Sequence, residues 1–177
     1  MQTVDLRELT KMSMLVALCC VTAYISFPLP FTPGLVTALT FSLSLTAYLL
    51  SPRQTFTVIA IYVLMGAVGL PVFAGGQGLS RLLGPAGGFY FAWFVAYPLL
   101  SMFKGAVPNF KRYALANIAI AVPITYVGGL ASMMFLLDVN LWQAMTMAVF
   151  PFIPGDILKA AAAAVLGVRL QKFFGER

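Results

Sequence analysis

The chain has 177 residues, 61% of them hydrophobic and 9% charged, with a mean hydropathy of +0.94. A soluble domain carries about 25% charged residues. This composition therefore excludes one and reads as a polytopic membrane protein, a single membrane domain over residues 1–177 with no separate soluble domain. The net charge of +6 raises a nucleic-acid partner, which the distribution of the charges then argues against.

Residues 1–10 are polar and lack the pattern of a signal peptide. The first apolar run, 11–27, reads as a transmembrane helix stopped by Pro28, Pro30 and Pro33. The second run is 35–50, followed by a tight turn at 51–54. The third is 55–70, ended by Pro71. Each is near the roughly 17–25 residues that span a bilayer. Residues 71–88 are glycine-rich but broken by Phe73, Leu79, Leu82 and Leu83. Irregular backbone at membrane depth survives only where protein or water satisfies its hydrogen bonds, so this stretch is expected to be an ordered cap over a cavity. The fourth run is 89–103, then a basic connection at 104–112. The fifth, 113–137, is long and expected to bend at Pro123 and Gly128-Gly129. Residues 138–151 form a connection with an amphipathic middle around Trp142. The sixth run, 153–170, precedes a basic tail. The expected fold is all-α: six transmembrane helices in one compact bundle, with an ordered Gly-rich outer loop between helices three and four.

Six spans put both termini on one side. The termini and the even-numbered connections hold Arg7, Lys11, Arg53, Lys104, Lys111, Arg112, Arg169, Lys172 and Arg177, whereas the odd-numbered connections hold only Arg81. By the positive-inside rule both termini are cytoplasmic. The basic excess sets topology, and no nucleic-acid partner is expected.

The chemistry centres on Asp156 and Lys159, three residues apart at the start of the sixth run. A charge at bilayer depth costs about 2.5–3.5 kcal/mol on insertion scales and usually faces a protein interior. Pro154 suits a first helical turn, Asp156 then lies near the positive end of the helix dipole, and Lys159 is one turn on. One reading is a self-neutralising pair that eases insertion. The other is a ligand site, in which the carboxylate accepts from N–H groups and the ammonium donates to a carbonyl or carboxylate. The cluster around Gly75-Gly76-Gln77-Gly78 is no phosphate cradle, since no Gly-Lys-Ser/Thr follows. It is either a flexible turn or backbone packed over a ligand, with Gln77 offering a donor and an acceptor. Arg81 is a solvated loop charge or a guide for an anion. Phe73, Phe89, Tyr90, Phe91 and Trp93 are core, interface-belt or pocket-lining residues. Ser13 and Ala17, four apart on the first helix, let another helix approach, either inside the bundle or from a partner. Cys19 and Cys20 are adjacent on one helix and are not expected to pair. Histidine is absent, and no metal cluster or nucleophile–base set appears. Hence no enzyme, cofactor or metal is expected.

Three blocks in order, Gly69-Leu70-Pro71-Val72-Phe73-Ala74-Gly75-Gly76, Leu83-Gly84-Pro85-Ala86-Gly87-Gly88 and Pro154-Gly155-Asp156-Ile157-Leu158-Lys159, resemble the BioY family. These are the biotin-specific substrate-binding (S) components of energy-coupling-factor (ECF) transporters. The resemblance covers nearly the whole chain. It implies high-affinity capture of biotin at the outer face of a bacterial plasma membrane. It also implies uptake powered by a transmembrane coupling protein and two ATPase subunits. Asp156, Lys159 and Gln77 inherit pocket positions, and Ser13 and Ala17 would face the coupling protein. Two departures stand out. Gly34-Leu35-Val36-Thr37-Ala38-Leu39 keeps the threonine of a stretch in which relatives often also carry proline and glutamine, and Ala86 stands where relatives often have threonine. They leave room for a biotin precursor or a related small carboxylate as ligand, and a stand-alone carrier of the same fold is the other alternative.

Overall fold

Helix α1 (Leu6–Tyr24) opens the computed structural model, which describes residues 6–30, 32–76 and 78–175. It starts earlier than the first apolar run and ends before Pro28. Beyond it the chain turns into a short antiparallel hairpin, β1 (Ser26–Pro28) with β2 (Leu35–Thr37), pairing Ser26 with Thr37 and Pro28 with Leu35. The fold is therefore mostly, not wholly, helical. The hairpin takes residues expected at the ends of the first two spans, and α2 (Leu39–Leu49) is left with 11 residues. Leu35–Thr37 continues an apolar run into α2, and an apolar run as such does not distinguish strand from buried helix.

α3 (Pro52–Ala67) begins with a capping box: Ser51 accepts from the Gln54 N–H, and the Gln54 side chain accepts from the Ser51 N–H. This satisfies two groups that a helix start leaves orphaned. The glycine-rich segment follows, with one helical turn, α4 (Leu79–Leu82). α5 (Gly87–Phe103) comes next. α6 (Phe110–Ala116), a π-helical turn (Asn117–Ala121) and α7 (Val122–Leu137) then run on as one helix, Phe110–Leu137. α8 (Leu141–Ala148) and α9 (Ile153–Gly175) close the chain, bent by 47° from one another. Among the described residues, Phe110–Leu137 is long and apolar enough to cross a membrane alone, and α8 and α9 pass the same test only as a bent pair.

α2 is the interior helix, packed on α1, α5 and α9. Residues 42–48 are all buried. Its polar side chains are satisfied at once: Ser44 and Thr46 donate to the carbonyls of Thr40 and Ser42, and Ser42 shares a 2.8 Å hydrogen bond with Thr22 of α1. α9 reaches α2 because its facing residues are small. Ala160, Ala163 and Ala164 are buried, and a Cβ on Gly167 would fall 2.8 Å from a ring carbon of Tyr48. Small residues permit such backbone approach. The outer helices, by contrast, expose large apolar side chains: Val21, Leu64, Val95, Val127 and Leu158. A monomeric soluble protein rarely shows so much exposed apolar surface, whereas a membrane protein needs it.

Gly128 and Gly129 were expected to bend the fifth run. α7 passes through them as regular helix. They serve contact with α5 instead: a Cβ on Gly128 would lie 2.4 Å from the Gly88 carbonyl oxygen, and one on Gly129 would lie 2.2 Å from the Phe89 ring. The helical irregularity sits upstream, at the π turn just before Pro123.

Candidate ligand site at the cap end of the bundle

The hairpin, the glycine-rich segment and the N-terminal ends of α2, α5 and α9 meet at one end of the bundle. The glycine-rich segment is pinned there. The Gly78 N–H donates to the Gly66 carbonyl, Tyr62 to the Val72 carbonyl, Tyr24 to the Pro71 carbonyl and Ser132 to the Pro85 carbonyl. Gly75, at φ +73°, presses on the wall opposite, where a Cβ would fall 2.6 Å from Leu35. A positive φ and that approach both require glycine.

Beneath this cap lies a cavity. It offers the centres of water molecules about 70 Å³, several times the ~10–15 Å³ that one water needs. Asp156 and Lys159 stand on its wall as an ion pair at 2.6 Å, their side chains 11% and 18% exposed. Tyr126 donates to Asp156 Oδ2 at 2.7 Å and Thr40 to Oδ1 at 3.4 Å. Lys159 Nζ also donates to the Thr37 carbonyl at 3.1 Å. An ammonium has three hydrogens, and these two contacts leave one.

Of the residues singled out from sequence, Asp156, Lys159, Arg81, Thr37, Phe89 and Tyr90 line this one cavity. Arg81 is no solvated loop charge: it is half-buried, and its guanidinium lies against the Tyr90 hydroxyl. Phe73 is corrected. It is 2% exposed, packed between Tyr62 and Tyr90 with its ring against Gly66, and it backs the cavity wall without lining it. Gln77 lies outside the described residues. Ser13 and Ala17 are both exposed on α1, away from the cavity. Cys19 and Cys20 are free.

Thr40, Thr125, Tyr126 and Phe152, not among the candidates above, also line the cavity, and so does Trp93, which was among the aromatics singled out. Trp93 lies three and four residues after Tyr90 and Phe89, so its place on that face of α5 was available from helical spacing. Tyr126 and Thr40 gave no local signal. Both altered stretches noted above, 34–39 and Ala86, contribute to the wall. Among the described residues, three buried side-chain atoms lack a hydrogen-bond partner: Arg81 Nε, Trp93 Nε1 and Thr125 Oγ1. All three residues line this cavity. Native proteins leave few buried polar groups unpaired, so their gathering on one wall gives the cavity hydrogen-bonding capacity that a bound molecule could use.

Comparison with known proteins speaks to family and fold. The family model described as "BioY family" matches residues 1–176. This chain belongs to the BioY family. It is 32% identical to the biotin transporter BioY of Thermotoga maritima, over 97% of this chain and 100% of that one. It is likewise 32% identical to the biotin transporter BioY2 of Lactococcus lactis, over 96% of this chain and 93% of the other. The crystal structure of the S-component for biotin from an ECF-type ABC transporter superposes with a TM-score of 0.87 at 24% identity, covering 94% of this chain and 91% of that one. At that identity the match speaks to the shared fold.

Proposed function

We propose that this BioY-family chain is a biotin-binding S component: it captures biotin at the outer face of a bacterial plasma membrane and delivers it inward with ECF partners. Those partners are a transmembrane coupling protein and two ATPase subunits. The observation that carries the reading is the cavity wall itself, a part-buried ion pair beside three buried polar atoms without partners.

Biotin matches that wall group by group. Its ureido ring brings two N–H donors and a carbonyl, and its apolar tail ends in a carboxylate. An ionised carboxylate has about four lone-pair sites. Lys159, Tyr126 and Thr40 occupy three on Asp156, and a ureido N–H takes the fourth. The remaining Lys159 hydrogen reaches the ureido carbonyl. Asp156 neutralises Lys159, so Arg81 is the cation on the wall without a carboxylate partner among the described residues. It receives the tail carboxylate. Phe89, Tyr90 and Phe152 enclose the apolar middle. A ligand lacking the ureido group leaves Asp156 and Lys159 with unmet hydrogen bonds, and such loss discriminates strongly.

Six spans with both termini cytoplasmic complete the proposal, supported by nine basic residues on one side against Arg81 on the other. Ser13 and Ala17, exposed on α1, offer the coupling protein a close approach. Uptake of labelled biotin into cells with and without the coupling module tests the assignment. Uptake that needs the module supports it, and equal uptake by the chain alone favours a self-sufficient carrier.

A further inference from the structure

The end of the bundle opposite the cavity carries a second feature, formed where α5 runs out and α6 begins. The connection there and the first turns of the next helix border an open groove of about 870 Å³. Its lining includes the small residues Ala116 and Ala119 together with Phe103, Val107 and Leu115. The last three are 55%, 75% and 66% exposed, so the groove is an apolar surface left open. Its lip is basic. Lys111 and Arg112 line it, both exposed, and neither has a carboxylate partner among the described residues.

Arg112 is pre-oriented. Its Nε donates to the Phe103 carbonyl at 3.1 Å, the one side-chain hydrogen bond it makes among the described residues. Its backbone N–H is held by Asn109 Oδ1. Gly105, at φ +82°, runs beneath the guanidinium, and a Cβ there would lie 2.5 Å from the Arg112 Cζ. The side chain is thus laid across the connection with its terminal nitrogens unbonded. A guanidinium fork pairs with two oxygens of a phosphate. An apolar groove beside a fixed cationic fork matches a molecule that is apolar over most of its length and anionic at one end. The cytoplasmic leaflet supplies such molecules, and basic pockets on that side of membrane proteins bind their headgroups.

We infer that this groove binds one anionic phospholipid of the inner leaflet. Arg112 and Lys111 hold its phosphate, and an acyl chain lies over Ala116 and Ala119. The inference concerns a site separate from the biotin cavity and rests only on the basic end facing the cytoplasm. The test is native mass spectrometry of the full chain in detergent, offered equal amounts of phosphatidylglycerol and phosphatidylcholine. Wild type retains phosphatidylglycerol with at least about fivefold preference, the effect of one surface cation or more. Lys111→Gln/Arg112→Gln abolishes the preference while biotin binding persists. Ala119→Phe puts a ring into the groove's lining, leaves both cations in place and lowers phosphatidylglycerol retention, which keeps the test valid if the double variant misfolds. Equal retention of both lipids by wild type overturns the inference. So does displacement of the lipid by inorganic phosphate, or a preference that survives both variants.

Discussion

Two lysines are tucked into this bundle at opposite ends, and their surroundings differ in one respect. Lys104, after α5, donates to the carbonyls of Ala47, Tyr48 and Leu50, at 2.9 Å for the first two. Ser101 adds a 2.7 Å bond to Leu50. Every hydrogen of the Lys104 ammonium is spent, and it is spent on the C-terminal end of the short interior helix, where a cation is favoured by the helix dipole. Lys159 has a carboxylate and one carbonyl, and it borders a cavity. The saturated lysine fixes the fold, while the unsaturated one has capacity to bind. What separates structure from site here is the count of open hydrogen bonds, since both residues are cations held in apolar surroundings.

The largest effect expected on that contrast comes from Asp156→Asn. It removes the charge that holds Lys159 and an acceptor for the ligand, so biotin binding weakens by more than about tenfold with the helices intact. Equilibrium titration checks this, and wild-type affinity in the variant would place Asp156 outside the site. Next, Lys159→Ala costs more affinity than Arg81→Ala, because it strands Asp156 as well as losing a donor. The reverse order would make the cap arginine the main anchor.

Lys104→Met tests the other side of the comparison. It leaves the Ala47 and Tyr48 carbonyls without this donor, while Leu50 keeps Ser101, and lowers the melting temperature by at least about 4 °C, with biotin affinity unchanged. A variant that melts as wild type but binds poorly would reverse the roles assigned to the two lysines. Tyr126→Phe keeps the ring and removes the bond to Asp156 Oδ2, for a loss of about three- to tenfold in affinity. The smallest change is optical. Trp93 and Trp142 are the two tryptophans of the chain, and Trp142 is 68% exposed on α8. A biotin-dependent fluorescence change should survive Trp142→Phe and vanish in Trp93→Phe.

The sequence carried the ion pair because both partners lie on one helical turn and are the acid and base of a single apolar run. The residues that complete the pair's hydrogen bonding were hidden. Tyr126 and Thr40 precede Asp156 by 30 and 116 positions, and only packing unites them. In the sequence Lys104 reads as a topology charge, since nothing local reveals that α2 ends beside it. In the sequence Gly128 and Gly129 suggest backbone freedom, whereas their lack of a side chain is what α5 requires. The hairpin was submerged in apolar runs at Leu35–Thr37. Phe73 belonged to the right motif, but its side chain turns into the core.

The most direct measurement is to denature the detergent-purified chain and identify by mass spectrometry any small molecule it releases, before and after incubation with biotin. The account predicts unmodified biotin, close to one per chain, and its loss in Asp156→Asn. A chain that releases nothing and takes up no biotin, or that releases a chemically altered ligand, would contradict it.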